Sequence, residues 1–234
     1  MDEYELSSRA AIFAALGEPV RLALVDRLVA EDVSPGELAL AFGLGTNLLA
    51  HHLKVLEDAG VIRRTRSEGD RRRSYVQLRL DDATVRAVTQ RSTASHPVGK
   101  AVGRVLFVCT ANSARSQIAA ATWNAVSGIP AVSAGTHPAE RVHPRAVEVA
   151  RRHGLRLEHA VPASIENLLQ GNQLVVAVCD NAHEELSPDL PRIHWSVPDP
   201  VRRGSLASFE DAYRQINERV RHLAVIQDGS RKAS

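Results

Sequence analysis

The chain has 234 residues, a formal net charge of +2, 44% hydrophobic and 24% charged residues. That ordinary globular composition excludes a disordered, collagen-like or coiled-coil chain, and no apolar run approaches the ~20 residues of a membrane span. Two cysteines cannot build a disulfide framework, and the acidic start Met1-Asp2-Glu3-Tyr4-Glu5 is the reverse of a basic signal peptide, so the expected location is the cytoplasm.

The first part reads as four helices and a hairpin. A helix over Ser8–Leu16 places Ile12, Phe13 and Leu16 on one face. A second opens at Pro19, a favoured first helical position, and buries Leu24, Val25 and Leu28. Ser34-Pro35-Gly36-Glu37 is a capping box with proline at the first turn, so a third helix follows. Gly43-Leu44-Gly45 turns the chain, Thr46 is expected to cap a fourth helix to about Ala59, and Gly60 stops it. Val61–Arg66 and Ser74–Leu80 read as strands joined across Ser67-Glu68-Gly69-Asp70, and a last helix follows Asp82.

Short helix, glycine turn and second helix form a helix-turn-helix arrangement. In the fourth helix Leu49, Leu53 and Leu56 recur at core spacing. The opposite face begins at Thr46 and carries Asn47, Ala50, His51 and Lys54, polar and free of acids, as entry into a major groove requires. Seven arginines follow in the hairpin, at 63, 64, 66, 71, 72, 73 and 79. Arg71, Arg72 and Arg73 at its turn suit phosphate contacts on double-stranded DNA. The bland alternative is a solvated basic hairpin beside a solvated helix face. His51 and His52 point apart on a helix and lack a ligand set, so no metal is expected.

Ala11 to Leu22 and Leu49 to Ile62 carry a resemblance to the ArsR-type winged-helix repressors, over about Leu6–Gln90. The resemblance implies a homodimer built on the first and last helices, bound to an operator and released by metal or arsenite. Arsenite-sensing members carry Cys-x-Cys on the third helix, where this chain has Ala39-Leu40-Ala41. The histidines of zinc-sensing members are missing from Asp81–Gln90. Neither inducer site carries over.

The polar stretch Gln90–Lys100 reads as a linker. The expected division is a winged helix-turn-helix domain at 1–92, a linker at 93–102, an α/β domain at 103–226 and a frayed tail at 227–234. The class is α/β with an α+β N-terminal part.

Val105–Cys109 is a short apolar run suited to a buried parallel strand. Cys109-Thr-Ala-Asn-Ser-Ala-Arg115-Ser116 follows, then a helical pattern from Gln117. Small residues let the loop Thr110, Ala111, Asn112, Ser113, Ala114 wrap with its amides inward as an anion nest. The helix start adds partial positive charge. Arg115 offers a two-pronged donor for a tetrahedral oxyanion such as arsenate or phosphate. That field suits an anionic sulfur at Cys109, with Ser116 placed to hydrogen-bond it, so the loop binds an oxyanion and presents a nucleophile to it. Asp199, in a proline-stiffened loop, is a candidate acid for the departing oxygen.

Arg104 to about Ala224 resembles the low-molecular-weight protein tyrosine phosphatases and the arsenate reductases that share their fold. The matching segments are the Cys109–Ser116 loop, Ser133-Ala-Gly135, Leu174 to Asp180, and His194 to Pro200. The resemblance implies a four-stranded parallel sheet, with Cys109 as nucleophile, Arg115 as clamp, Asp199 as general acid and Asn112 shaping the loop. Phe209, Tyr213, Ile216, Val220 and Leu223 form a core stripe on the closing helix.

Three features favour arsenate over a phosphoester. Val201 stands where the phosphatases carry tyrosine, so an aromatic wall is missing. Cys179 ends an expected strand, Leu174–Val178, where the reductases keep a second cysteine. The first part resembles an arsenic-responsive family. Reductases served by thioredoxin carry a third cysteine, but Leu186 stands there. Either Cys179 attacks Cys109 and an external reductant follows, or a small thiol attacks the Cys109 adduct. No bound cofactor is expected, only an external mycothiol/mycoredoxin or thioredoxin system. An arginine bias, with lysine only at 54, 100 and 232, resembles GC-rich bacterial coding and leans to mycothiol. Cys179 as an inert buried thiol stays open. So do a phosphotyrosine or small-phosphoester phosphatase, and a transcription factor whose second domain only senses oxyanion, arsenite or oxidation.

Overall fold

The computed structural model describes residues 3–89 and 102–232, so nearly all of the expected linker lies outside the described residues. Two compact units are present. One runs to Arg66 and resumes at Arg71; the other holds Ser67–Asp70 and the chain beyond the linker. The expected first domain, 1–92, therefore differs by four residues, which pack as part of the second unit.

In the first unit α1 (Glu3–Leu16), α2 (Pro19–Leu28), α3 (Pro35–Phe42) and α4 (Thr46–Asp58) precede the antiparallel pair β1 (Ile62–Arg66) and β2 (Ser74–Leu78), then α5 (Ala83–Thr89). Ser34 and Glu37 form the reciprocal capping box, and Gly43 ends α3 at φ 60°. Gly45 is the N-cap of α4 and makes no side-chain bond. Thr46 is thus the first helical residue rather than its cap. Asp82 caps α5, accepting from the Thr84 and Val85 amides.

The face of α1 differs from expectation. Ile12 and Ala15 are buried, whereas Phe13 is 54% exposed and Leu16 is half-buried. The helix begins five residues earlier than expected, so the short window read from Ser8 misjudged where its apolar stripe lies. Leu24, Leu38, Leu53, Leu56 and Val76 form the centre of this unit's core.

The second unit is a four-stranded parallel sheet in the order β4 (Ala131–Gly135), β3 (Arg104–Cys109), β5 (Gln173–Ala177), β6 (Arg192–His194). α6 (Arg115–Val126) connects β3 to β4, while α7 (Pro144–Arg152) and α8 (Ile165–Leu168) precede β5. The chain leaves β3 on one side and returns on the other, so the sheet has its switch point between β3 and β5. Ligands of such sheets bind beyond the carboxyl ends of these strands.

Phe107 lies 5.8 Å from Trp195 and 6.0 Å from Trp123, ring centre to ring centre. All three are buried, and each ring adds about 2–3 kcal/mol by burial. α9 (Asp180–Glu185) and α10 (Pro200–Arg203) follow β5 and β6.

α11 spans Leu206–Lys232, so the frayed tail expected from 227 is helical backbone as far as 232. Phe209, Ile216, Val220 and Leu223 are buried. Tyr213 departs from that stripe: Ala212 takes the buried position, and Tyr213 stacks on His153 with centres 3.7 Å apart.

Candidate functional site

β3 delivers Cys109 to the end of the sheet, and the chain turns through 110–114 into α6. The loop's carbonyls are held by the segment after β4. Those of Cys109, Thr110, Ala111 and Ser113 accept from the amides of Thr136, His137, Ala139 and His143, at 2.8–3.1 Å. In a planar trans peptide the following N–H points the opposite way. The amides of Thr110, Ala111, Asn112 and Ala114 therefore face away from that segment, as an anion nest requires.

Asn112 is the loop's keystone. Its backbone sits at φ 48°, which asparagine tolerates better than most residues. Its side chain is fully buried. It donates to Ser116 Oγ at 2.8 Å and accepts from Gln117 Nε2 and the Ala163 amide. Ser116 Oγ lies 3.0 Å from Cys109 Sγ. Because that oxygen already accepts from Asn112, its own proton is available to the sulfur.

Gly135, at the end of β4, explains itself here. A Cβ on it would stand 2.6 Å from the Thr110 carbonyl oxygen and 3.1 Å from the Asn112 nitrogen. Only glycine lets the loop lie this close to the sheet.

Arg115 is buried at the first turn of α6. Nη1 donates to the Val197 carbonyl at 2.9 Å, and Nη2 lies 3.6 Å from Asp199 Oδ1. Burial alone would lower its pKa, but the sulfurs of Cys179 and Cys109 and the carboxylates of Asp199 and Glu68 push it up. The guanidinium is a buried cation held by the Val197 carbonyl and the Asp199 carboxylate. Asp199 caps α10 by accepting from the Val201 amide at 3.1 Å. Its carboxylate is thus oriented beside Arg115 rather than swinging in solvent.

Cys179 follows β5, which ends at Ala177 rather than at the expected Val178, and serves as the N-cap of α9. Its sulfur lies 3.6 Å from Thr110 Oγ1 and accepts from the Ala182 amide. Both cysteines are buried and unbridged. Burial raises the Cys179 pKa against the pull of Arg115. The structure therefore brings together Cys109, Asn112, Arg115, Ser116, Cys179 and Asp199 at the carboxyl ends of β3 and β5.

Several participants escaped the sequence. Asp180 and His194 form a buried pair, Nε2 donating to Oδ1 at 3.0 Å, directly after Cys179. Asp180's carboxyl is raised by burial but held low overall by the bonds from His194, the Glu68 amide and Ser196. Glu68, read only as a turn residue, accepts from the Asp199 amide at 2.9 Å and lies 3.4 Å from Arg115 Nη1.

The residues expected to face DNA lie on the surface of the first unit. Thr46, Asn47, Ala50, His51 and Lys54 are exposed on α4, and so are Arg71, Arg72 and Arg73. Leu49, Leu53 and Leu56 are buried behind them. That face is not free of acids, however: Lys54 Nζ pairs with Asp58 one turn on, at 2.9 Å. His52 is buried against Glu18 at 3.5 Å. Among the described residues no group of three or more metal-ligating side chains converges, and no helix is long and apolar enough to cross a membrane.

Residues 16–65 match the family model of a helix-turn-helix domain. Arsenate reductase 2 of Staphylococcus haemolyticus is 32% identical over 102 residues, covering 42% of this chain and 78% of that protein. An arsenate reductase of Bacillus cereus is 30% identical over 135 residues, 52% of this chain and 94% of its own. The crystal structure of arsenate reductase from Archaeoglobus fulgidus aligns at 31% identity with a TM-score of 0.46, covering 51% of this chain and 98% of that one. Residues 104–232, more than half of the chain, match the model of low molecular weight phosphotyrosine protein phosphatases, and the chain belongs to that enzyme family.

Proposed function

We propose that this protein joins a DNA-binding regulator to a thiol-dependent arsenate reductase. The observation that carries the enzymatic half is the second sulfur: Cys179 stands 3.6 Å from Thr110, the first residue of the nucleophile's own loop. Hydrolysis of a phosphoester needs one thiol; reduction of arsenate needs two. Relatives named arsenate reductases over this same half support the reading.

Arsenate would lie on the loop amides and Arg115, whose charges oppose those of the oxyanion. The Cys109 sulfur attacks arsenic, an arsenic–oxygen bond breaks, and Asp199 protonates the departing oxygen as water leaves. The product is a sulfur–arsenic(V) adduct. A second thiol then attacks Cys109 sulfur, and the sulfur–arsenic bond breaks with its electron pair left on arsenic. Arsenite departs as As(III), and the two sulfurs are oxidised to a disulfide. The second thiol is Cys179 or a small external thiol, and a mycothiol/mycoredoxin or thioredoxin system restores the reduced protein.

The first unit would hold an operator, with α4 in the major groove and Arg71, Arg72 and Arg73 on phosphates. Exposed Leu6 and Phe13 on α1, at 52% and 54%, support a homodimer through this unit. With no Cys-x-Cys on α3, the effector would act through the second unit.

Arsenate turnover assayed with each thiol system, alongside Cys109→Ser and Cys179→Ser, tests the reading. Loss of turnover in Cys109→Ser with either system supports it. Rapid hydrolysis of para-nitrophenyl phosphate with no arsenate reduction under any thiol would establish a phosphatase instead.

A further inference from the structure

We infer that the oxyanion site has a built-in competitor: the Glu68 carboxylate occupies the Arg115 side of the cradle, and an incoming oxyanion must displace it. The inference deepens the proposed reaction by naming a control on the same site, and it rests on the oxyanion reading of that site. Both Glu68 carboxylate oxygens accept from the Asp199 amide, at 2.9 and 3.1 Å, and one lies 3.4 Å from Arg115 Nη1. A carboxylate and a tetrahedral oxyanion make the same demand on a guanidinium, so the two compete for Arg115.

The segment that presents Glu68 is fitted to its place. Its amides are received by acids of the second unit: Glu68 N–H donates to Asp180 Oδ2 and Asp70 N–H to Glu184 Oε2, each at 2.8 Å. The Ser67 hydroxyl donates to Glu184 Oε1 at 2.7 Å and itself accepts from the Gly69 amide at 2.9 Å. Between them, a side chain at Gly69 would have to push aside the ends of Glu184 and Asn181. A Cβ there would stand 2.4 Å from Glu184 Oε2 and 2.8 Å from Asn181 Oδ1.

Three backbone or hydroxyl bonds to Asp180 and Glu184, and one carboxylate on the cationic side of the cradle, make a ligand and its receptor. By covalent continuity these residues are also the turn between β1 and β2.

Inorganic phosphate is the probe, used with the reduced full-length protein, so that no turnover is required. Calorimetry would compare wild type with Glu68→Gln, which keeps the side chain's size and removes its charge. Gly69→Ala, whose Cβ displaces the Glu184 carboxylate that accepts from the Asp70 amide, is the second variant. The expected result is phosphate affinity about tenfold tighter in both variants, the scale of one lost charge-assisted hydrogen bond. Trypsin should cleave wild type within Arg66–Arg73 faster when phosphate is present, and cleave Glu68→Gln at the faster rate without it. Equal phosphate affinity in all three proteins overturns the competitor and leaves the proposed reaction standing. Phosphate binding to none of them overturns both.

Discussion

Asn112 donates to Ser116 at 2.8 Å and so decides which way the Ser116 hydroxyl points: toward Cys109, 3.0 Å away. The polar chain Asn112–Ser116–Cys109 is buried throughout. In such surroundings a hydrogen bond to an anionic sulfur is worth more than in water.

Ser116→Ala removes that donor and leaves the loop's other anchors in place. The expected outcome is a fall in kcat for arsenate of about 10- to 100-fold with KM little changed. Asn112→Ala should cost more. It also forfeits the bonds from Ala163 and Gln117 and puts alanine at φ 48°, adding roughly 1 kcal/mol of backbone strain. Steady-state kinetics on both variants check this. A Ser116→Ala enzyme with wild-type kcat would show that Ser116 does not act on the sulfur.

What was legible follows from distance along the chain. Cys109 to Ser116 is a run of eight consecutive residues, and strand, loop and helix each leave a local signature, so the residues proposed as nucleophile, cradle and clamp stand together in one local run. Leu49, Leu53 and Leu56 were legible for the same reason, through a repeating period. Gly135 was not, because its reason is the Thr110 carbonyl across the sheet edge. The Asp180–His194 pair and the Glu68–Arg115 approach join residues 14 and 47 positions apart, with no periodic or motif signal to mark them. Phe13 failed differently. A short amphipathic window fixes a period but not the helix's rotation: α1 keeps Ile12 inward as expected, but Ala15 rather than Phe13 joins it.

Asp180 ties acid stability to the second sulfur's surroundings. Its bonds to His194, Glu68 and Ser196 hold its carboxyl below the ordinary range despite burial. The folded protein therefore binds this proton less readily than the unfolded chain does. Its contribution to stability is complete above about pH 4, the unfolded carboxyl range. It is lost as pH falls further, through the folded value. Asp180→Ala leaves His194 buried without its carboxylate and should cost about 3 kcal/mol at neutral pH. Urea unfolding at a series of pH values should show wild type losing stability below pH 4 more steeply than the variant. Parallel curves would mean that Asp180 is not the linked group.

The Lys54–Asp58 pair on α4 sets a testable limit on DNA affinity. Lys54 Nζ lies 2.9 Å from Asp58 Oδ2, both well exposed, so the acid partly neutralises a cation on the face proposed to meet DNA. Exposed pairs of this kind add at most ~1 kcal/mol to folding, and breaking this one should barely move the melting temperature. On a polyanion the effect is larger. Lys54→Ala should reduce the slope of log K against log salt by about one and weaken binding to any duplex. Asp58→Asn should act in the opposite sense, freeing the ammonium and tightening binding. Fluorescence anisotropy with a labelled duplex over a salt series measures both. If neither substitution alters affinity or slope, α4 does not face the DNA, and contact through the Arg71–Arg73 turn alone would have to account for binding.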